Sequence, residues 1–436
     1  MPILECKGKY YLLEEKQRTS EGECIIQLEE EEMSILPKFG DPLNITFRDI
    51  INFSEEDYEV FLVLSPKESI VLYHLGYHHD DFVRIFSKLR NELLLKDLLM
   101  NESIRKSGVE ANFVLYDESG GKKKEGKCEP RLYETAIVII PEKGEIIRIP
   151  YSSISTISEE NYSLTLITEY GDSFTLSMMG MKFDSFRDTL SEVYTQRQLE
   201  VQSHLKELLP ETNPLIIRKI ARFMKEGKAV KRSDIESVSP ELWAQLERRL
   251  SILGIKEEYD FLKAMSRKQG ICIGMKKDLL GDLTGEYMWF LIPIYGSSTK
   301  EFGNAIAMEA GSEAGTGKAT YFFRIVSRNE YQSLNTEEMD HRTDELIKKI
   351  NRCMLAINFR REPIYLPDER LEEPQYLKYR FAVQKIPSLR ILRSLFIGRV
   401  IHRSHEQWQK DVMDLLKFNV TAQDDREKWK KTTQSS

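Results

Sequence analysis

His78-His79-Asp80-Asp81 places four metal-capable side chains in a row. The run opens a predicted amphipathic helix, where neighbouring residues point in different directions, so the four do not converge on one ion. The expected role of Asp80, and of Asp184 further on, is to act on a helix end as a cap or against its dipole. A second constellation, Gly311-Ser-Glu-Ala-Gly315-Thr-Gly317-Lys318-Ala319, has the composition of a phosphate loop. That loop needs glycine where Ser312 stands and Ser or Thr where Ala319 stands, and strands are predicted on both sides, so a hairpin turn is expected. Carboxylates at Glu29–Glu32, Ser54-Glu55-Glu56 and Ser158-Glu159-Glu160 are plentiful but unfocused. No Gly-x-Ser-x-Gly, His-Glu-x-x-His or Cys–His spacing occurs. The expectation is a non-enzyme with no catalytic residue, no cofactor and no metal.

Two basic stretches remain as binding candidates. One is Asp117-Glu-Ser-Gly-Gly-Lys122-Lys123-Lys124-Glu-Gly-Lys127, expected to be a glycine-rich loop. The other is a C-terminal arm. Between Tyr376 and Lys410 eight Lys or Arg stand against Glu406 alone, net +7 in a chain of net −7. A helix opened by Pro387-Ser388 puts Leu389, Leu392, Leu395, Phe396 and Val400 on one side and Arg390, Arg393 and Arg403 on the other. Together with Arg399, these arginines are candidates for an anionic membrane, a nucleic acid or an acidic protein, or for pairing within the chain.

The elements that position these residues occur twice. Displaced by 104 residues, Gly22–Leu89 falls on Gly126–Val193 without a gap, matching Gly22/Gly126, Cys24/Cys128, Pro37/Pro141, Gly40/Gly144, Tyr58/Tyr162, Gly76/Gly180 and Phe82/Phe186. Each copy reads as short strands with period-two alternation, such as Tyr162-Ser-Leu164-Thr-Leu166, followed by an amphipathic helix carrying Phe183, Phe186, Leu190 and Val193. A strand meander closed by one C-terminal helix resembles the pleckstrin-homology (PH) and GRAM superfold. The resemblance implies an open barrel plugged by the helix, and the duplication itself predicts that the pairs Phe82/Phe186 and Tyr58/Tyr162 superpose and are both buried. In many PH domains the first loop carries lysines for phosphoinositide headgroups, so the resemblance points at Lys122, Lys123, Lys124 and Lys127.

After the repeats the pattern becomes helical. Pro214 opens a helix ending by Gly227, Ser233–Val238 is a second, and Ser239-Pro240 opens a third ended by Gly254. The three are helix-turn-helix-like, but Glu241 and Glu247 on the third argue against DNA. Domain order over the first 265 residues resembles the archaeal chemotaxis adaptor family CheF. The expected organisation is α+β: PH-like domains over 1–100 and 108–199, a helical segment over 200–264, a C-terminal α+β unit over 265–360, a basic helical arm over 361–420 and a disordered tail over 421–436.

Composition excludes little. The 436 residues are 41% hydrophobic and 31% charged, with no apolar run long enough to span a bilayer and no signal peptide at Met1–Cys6. Five scattered cysteines without a Cys-x-x-Cys pair fit a reducing cytoplasm. The function expected is a cytoplasmic adaptor or scaffold that binds protein partners, in signal transduction or chemotaxis. The alternatives are a peripheral binder of anionic membrane and an enzyme in the C-terminal unit.

Overall fold

A computed structural model describes residues 2–15, 17–64, 67–98, 102–277, 286–296, 301–312 and 319–429. The turn expected at Gly311–Ala319 falls mostly on residues 313–318, which lie outside the described residues, as do residues 430–436 of the tail. The chain forms two compact units, Met1–Glu192 with Asp368–Lys385, and Val193–Pro367 with Ile386–Ser436.

The first unit holds both repeats. Strands β1 (Leu4–Glu14), β2 (Gln17–Leu28), β3 (Glu32–Pro37), β4 (Leu43–Thr46), β5 (Asn52–Glu56), β6 (Glu59–Val63) and β7 (Glu68–Tyr73) form a sheet ordered β4-β3-β2-β1-β7-β6-β5. Strand β1 pairs with both its successor and the last strand, which curls the meander into a half-barrel. Helix α1 (His79–Leu98) closes it, packing Phe82, Val83, Phe86 and Leu93 against Ile26, Met33, Phe47 and Leu72.

The second copy begins with β8 (Ile104–Lys106), which pairs with β10, and continues as β9 (Ala111–Tyr116), β10 (Lys122–Tyr133), β11 (Ala136–Pro141), β12 (Ile147–Pro150), β13 (Ile154–Glu160), β14 (Ser163–Thr168), β15 (Ser173–Ser177) and α2 (Phe183–Leu208). Its order, β12-β11-β10-β9-β15-β14-β13, repeats the first. Registers agree pair for pair: Cys24↔Pro37 with Cys128↔Pro141, and Glu55↔Val60 with Glu159↔Leu164. The fold is therefore α+β with two PH-like half-barrels.

Phe82 and Phe186 are fully buried, whereas Tyr58 and Tyr162 are 76% and 75% exposed, against expectation. Asp57-Tyr58 (φ 50°, 61°) and Asn161-Tyr162 (φ 49°, 58°) are two-residue hairpin turns with positive φ at both positions. That turn matches the strand twist and throws its second side chain outward. Each ring then lies on the first residue of the closing helix, Tyr58 on His79 at 5.3 Å and Tyr162 on Phe183 at 5.5 Å.

The second unit comprises α3 (Pro214–Ile220), β16 (Val230–Lys231), α4 (Arg232–Val238), α5 (Pro240–Ile252), α6 (Lys256–Ala264), β17 (Cys272–Lys277), β18 (Glu286–Tyr295), β19 (Gly303–Ser312), β20 (Ala319–Arg324), α7 (Arg328–Ser333), α8 (Thr336–Ala356) and α9 (Glu362–Tyr365). Next along the chain, α10 (Asp368–Leu371) and α11 (Leu377–Lys385) fold with the first unit; α12 (Pro387–Leu395), β21 (Phe396–Ile401) and α13 (His405–Thr421) complete the second. Its sheet runs β16-β17-β18-β19-β20-β21.

Three expectations change here. The helical segment and the C-terminal unit share one core, in which Trp243 and Leu246 of α5 join Phe290 of β18 and Trp408 and Leu415 of α13. The basic arm is not all helix: Phe396–Ile401, rich in β-branched and aromatic residues, is an edge strand on β20. The tail is ordered through Trp429, whose N–H bonds Ile397 O, while Arg324 and Arg328 hold Asp425.

Candidate functional site

The basic residues singled out from sequence have different fates. Lys122–Lys127 form the start of β10 rather than a loop; the turn before it is tied by Asp117, whose Oδ1 accepts from the backbone N–H groups of Ser119 (3.0 Å) and Gly121 (2.8 Å). The Ser119 hydroxyl and these N–H groups hold the Asp117 carboxyl below its usual range. Lys122 pairs with Glu125 and Lys123 lies 3.9 Å from Asp172, while Lys124 and Lys127 are exposed.

On the arm, Arg393 is buried and spent inside the fold. Its Nη1 donates to the carbonyls of Pro363 (2.7 Å) and Leu366 (2.8 Å), closing the open end of α9. The Arg399 guanidinium lies 4.0 Å from the Tyr365 ring centroid. Arg390 and Arg403 are exposed and already engaged within the chain. Arg380 and Lys385 belong to the first unit. Arg380 bonds Asp49 at 2.6 Å, and Lys385 donates to Ile51 O (2.5 Å) and Glu145 (2.6 Å). A patch of free cations is therefore not what the arm presents.

Those last contacts are part of a seam between the two half-barrels. Arg90 on α1, 3% exposed, donates to Ile50 O at 2.7 Å and reaches Glu145 at 3.4 Å. Burial pushes its pKa down to about 10 despite Glu145. Asn91 accepts from Ile146 N–H and donates to Gly144 O. Leu95 packs on Tyr133, Val138 and Ile140.

At one end of the seam the structure assembles a cluster the sequence hid. Glu55 of β5 meets the start of α1, and its Oε1 lies 3.7 Å from His79 Nδ1, which is also 3.7 Å from Asp80 Oδ1. Lys143, in the β11–β12 turn of the other copy, bonds Glu55 at 3.0 Å and Asp80 at 3.5 Å. The bond to Glu55 raises its pKa. In the second copy the equivalent carboxylates, Glu159 and Asp184, are bridged by the copy's own Arg187 at 3.2 and 3.0 Å. Asp80 and Asp184 thus sit in the first helical turn but bind cations. Of the His78–Asp81 run, His79 and Asp80 turn to the same place, joined by a residue 24 positions upstream.

Three further features bear on chemistry. Tyr162, Met178 and Met181 are exposed on the second copy, at 75%, 78% and 103%. The Leu164↔Leu176 register runs on to set the Tyr162 turn beside Met178, and Met181 follows in the helical turn Gly180–Lys182 before α2, so the three mark one apolar corner. On the first copy, a cavity of about 590 Å³ is lined by Lys7, Lys9, Lys38 and His74, with Glu23 as its one acid. In the second unit, Thr320 Oγ1 lies 3.1 Å from His402 Nε2, whose Nδ1 faces Glu258 at 3.5 Å. This has the order of a hydroxyl–imidazole–carboxylate triad. However, Thr320 is fully buried, donates to Glu309 and accepts from Trp408 Nε1 (3.0 Å), so it is sealed from any substrate.

Among the described residues, no helix is long and apolar enough to cross a membrane. No protein-family model and no curated protein matches the chain. One solved structure it resembles is the Spt16D–Pob3N heterodimer, at 16% identity and a TM-score of 0.16, over 38% of this chain and 85% of that one. A likeness at that score carries no argument, and the resemblance to CheF rests on domain order alone.

Proposed function

We propose that the chain is a non-enzymatic adaptor that binds protein partners through a platform of two PH-like domains. The carrying observation is the apolar corner of Tyr162, Met178 and Met181. Two methionines and a tyrosine, exposed together beside a helix start, form an adaptable patch of the kind that protein partners cover. The sealed Thr320 supports a non-catalytic reading of the second unit. Five free, buried cysteines suit a cytoplasmic setting. A role in signal transduction or chemotaxis is the finer form of this proposal. A second reading, attachment to an anionic surface, rests on the Lys7–Lys9–Lys38 cavity: residues 1–100 carry 11 Lys and Arg against 20 Asp and Glu, yet this lining is net positive.

The test is site-specific photo-crosslinking from position 181 of the full chain in its native cells, with position 119 as the control. A protein adduct at 181 that disappears with Met178→Glu supports the reading. Equal adducts at both positions overturn it, and co-sedimentation with anionic vesicles that Lys7→Glu with Lys9→Glu abolishes favours the second reading.

A further inference from the structure

His79 is only 3% exposed, and neither ring nitrogen has a hydrogen-bond partner. A buried polar group left unsatisfied costs free energy. The fold does not require one here, because the second copy has Phe183 in the same place, under the same tyrosine. The position itself attracts cations in both copies. In the second, the Arg187 guanidinium lies over the Phe183 ring and between Glu159 and Asp184. In the first, Val83 stands at the place of Arg187, and the cation is Lys143 from the other half-barrel. Only the first copy combines two carboxylates with a ring that can donate a lone pair to a metal.

We propose that Glu55, His79 and Asp80 form a site for one divalent transition-metal ion of the zinc class, which exchanges with the Lys143 ammonium. One imidazole nitrogen and two carboxylate oxygens are donors that zinc accepts, and the two carboxylates balance its charge. Their donor atoms already lie within 4.8 Å of one another, with the two distances from Nδ1 at 3.7 Å. Tetrahedral zinc with bonds of about 2.0–2.1 Å needs ligand atoms roughly 3.3 Å apart. The two distances from Nδ1 therefore need only a small contraction, and the Glu55–Asp80 separation closes by a turn of the exposed Asp80 side chain. Water fills the fourth position. The Tyr58 ring meets the imidazole edge-on at 5.3 Å between centroids. Oxygen-seeking ions such as magnesium gain nothing from the ring nitrogen. Because Lys143 holds the same carboxylates, the ion and the interdomain ion pair are alternatives, and binding releases the β11–β12 turn from Glu55 and Asp80.

The experiment is equilibrium dialysis of the full chain against Zn²⁺, with His79→Phe and Lys143→Ala variants. His79→Phe installs the residue that the second copy already accommodates, so the fold survives. The expected result is that His79→Phe loses one equivalent bound by the wild-type chain, while Lys143→Ala binds that equivalent at least about tenfold more tightly, a change of the size that neighbours of a metal produce. Co²⁺ in its place should give the visible absorption of a bound ion in the wild-type chain and not in His79→Phe. An unchanged stoichiometry in His79→Phe overturns the site, as does absence of binding in both wild type and Lys143→Ala. Unaltered affinity in Lys143→Ala overturns the exchange.

Discussion

Replacing Glu145 by Gln should loosen the seam between the half-barrels more than any other single loss of charge there. Glu145 is the counter-ion of two cations that are nearly out of water: Lys385 at 2.6 Å, with 5% of its side chain exposed, and Arg90 at 3.4 Å, with 3%. Removing one partner of a buried pair costs about 3–5 kcal/mol, because the remaining charge stays desolvated. Glu145 itself is 34% exposed, so water screens part of the loss, and both cations keep a backbone carbonyl, Ile51 O for Lys385 and Ile50 O for Arg90. The expected cost is therefore about 2–3 kcal/mol. Lys385→Met on top of it removes one stranded cation and should restore a good part of the loss, the signature of coupled sites. The four tryptophans (Trp243, Trp289, Trp408, Trp429) all lie in the second unit, so their fluorescence is blind to this seam. Hydrogen exchange reads it directly through the Ile146 amide, which bonds Asn91 Oδ1 at 3.2 Å. A loss of 2–3 kcal/mol predicts exchange roughly 30- to 150-fold faster over residues 86–98 and 140–150. Protection within about twofold of wild type would refute the buried-counter-ion reasoning.

Other expectations follow from single groups. All five thiols are free and buried, and burial raises Cys6 to about 11 and Cys24, Cys128 and Cys353 to about 12; the native chain should leave a thiol reagent unreacted at pH 8 and titrate five thiols in urea. Glu247 is held below the usual glutamate range, its hydrogen bonds from Lys263, Tyr259 and Trp243 overcoming desolvation. A carboxyl lowered in the folded state stabilises above its unfolded pKa, so the second unit should lose stability as pH falls from the usual glutamate range through the lowered folded value, and Glu247→Gln should flatten that dependence in acid melts. Gly274→Ala would set a Cβ 2.2 Å from Trp289 Nε1 and 3.0 Å from Lys228 O. Overpacking of that kind should cost about 2–3 kcal/mol in tryptophan-monitored unfolding, and wild-type stability would contradict it.

The duplicated half-barrels were legible because period-two strands, invariant turn glycines and a helical stripe are local signals that appear twice. The helix at Pro387 and the helices after Pro214 and Ser239 were legible for the same reason. What escaped depends on pairing at long range. Phe396–Ile401 continues an amphipathic pattern until β20 offers it an open edge. Arg393 looks like a surface cation on its own helix, and only the approach of α9 buries it. Glu55 carries no hint of His79, since the two meet through the sheet's curl. Yet the repeat held the clue: Glu55/Glu159 and Asp80/Asp184 are identical pairs, more than two turns or two caps would demand.

The seam lies where the two copies differ. Their cores keep Phe82/Phe186, Leu62/Leu166 and Leu72/Leu176, so each half-barrel closes by the same packing. Arg90, Asn91 and Glu92, which hold Glu145, Ile146 and Arg131, stand against Tyr194, Thr195 and Gln196 in the second copy. Lys143 stands against Phe39, and Arg187 against Val83. The second copy satisfies its carboxylate pair from its own helix, whereas the first takes its cation from the neighbour. Residues of α1 and of the β11–β12 turn that differ from their counterparts on α2 and the β3–β4 turn therefore make one matched interface. Directional ion pairs and the Asn91 contacts fix its register, which apolar packing of Leu95 alone would leave free to slide. Tyr162, Met178 and Met181 correspond to Tyr58, His74 and Tyr77 of the first copy, so His74 and Tyr77 stand where the second copy has two exposed methionines. The second copy therefore carries the more apolar of two equivalent corners, and under the partner-binding proposal that corner is the docking surface.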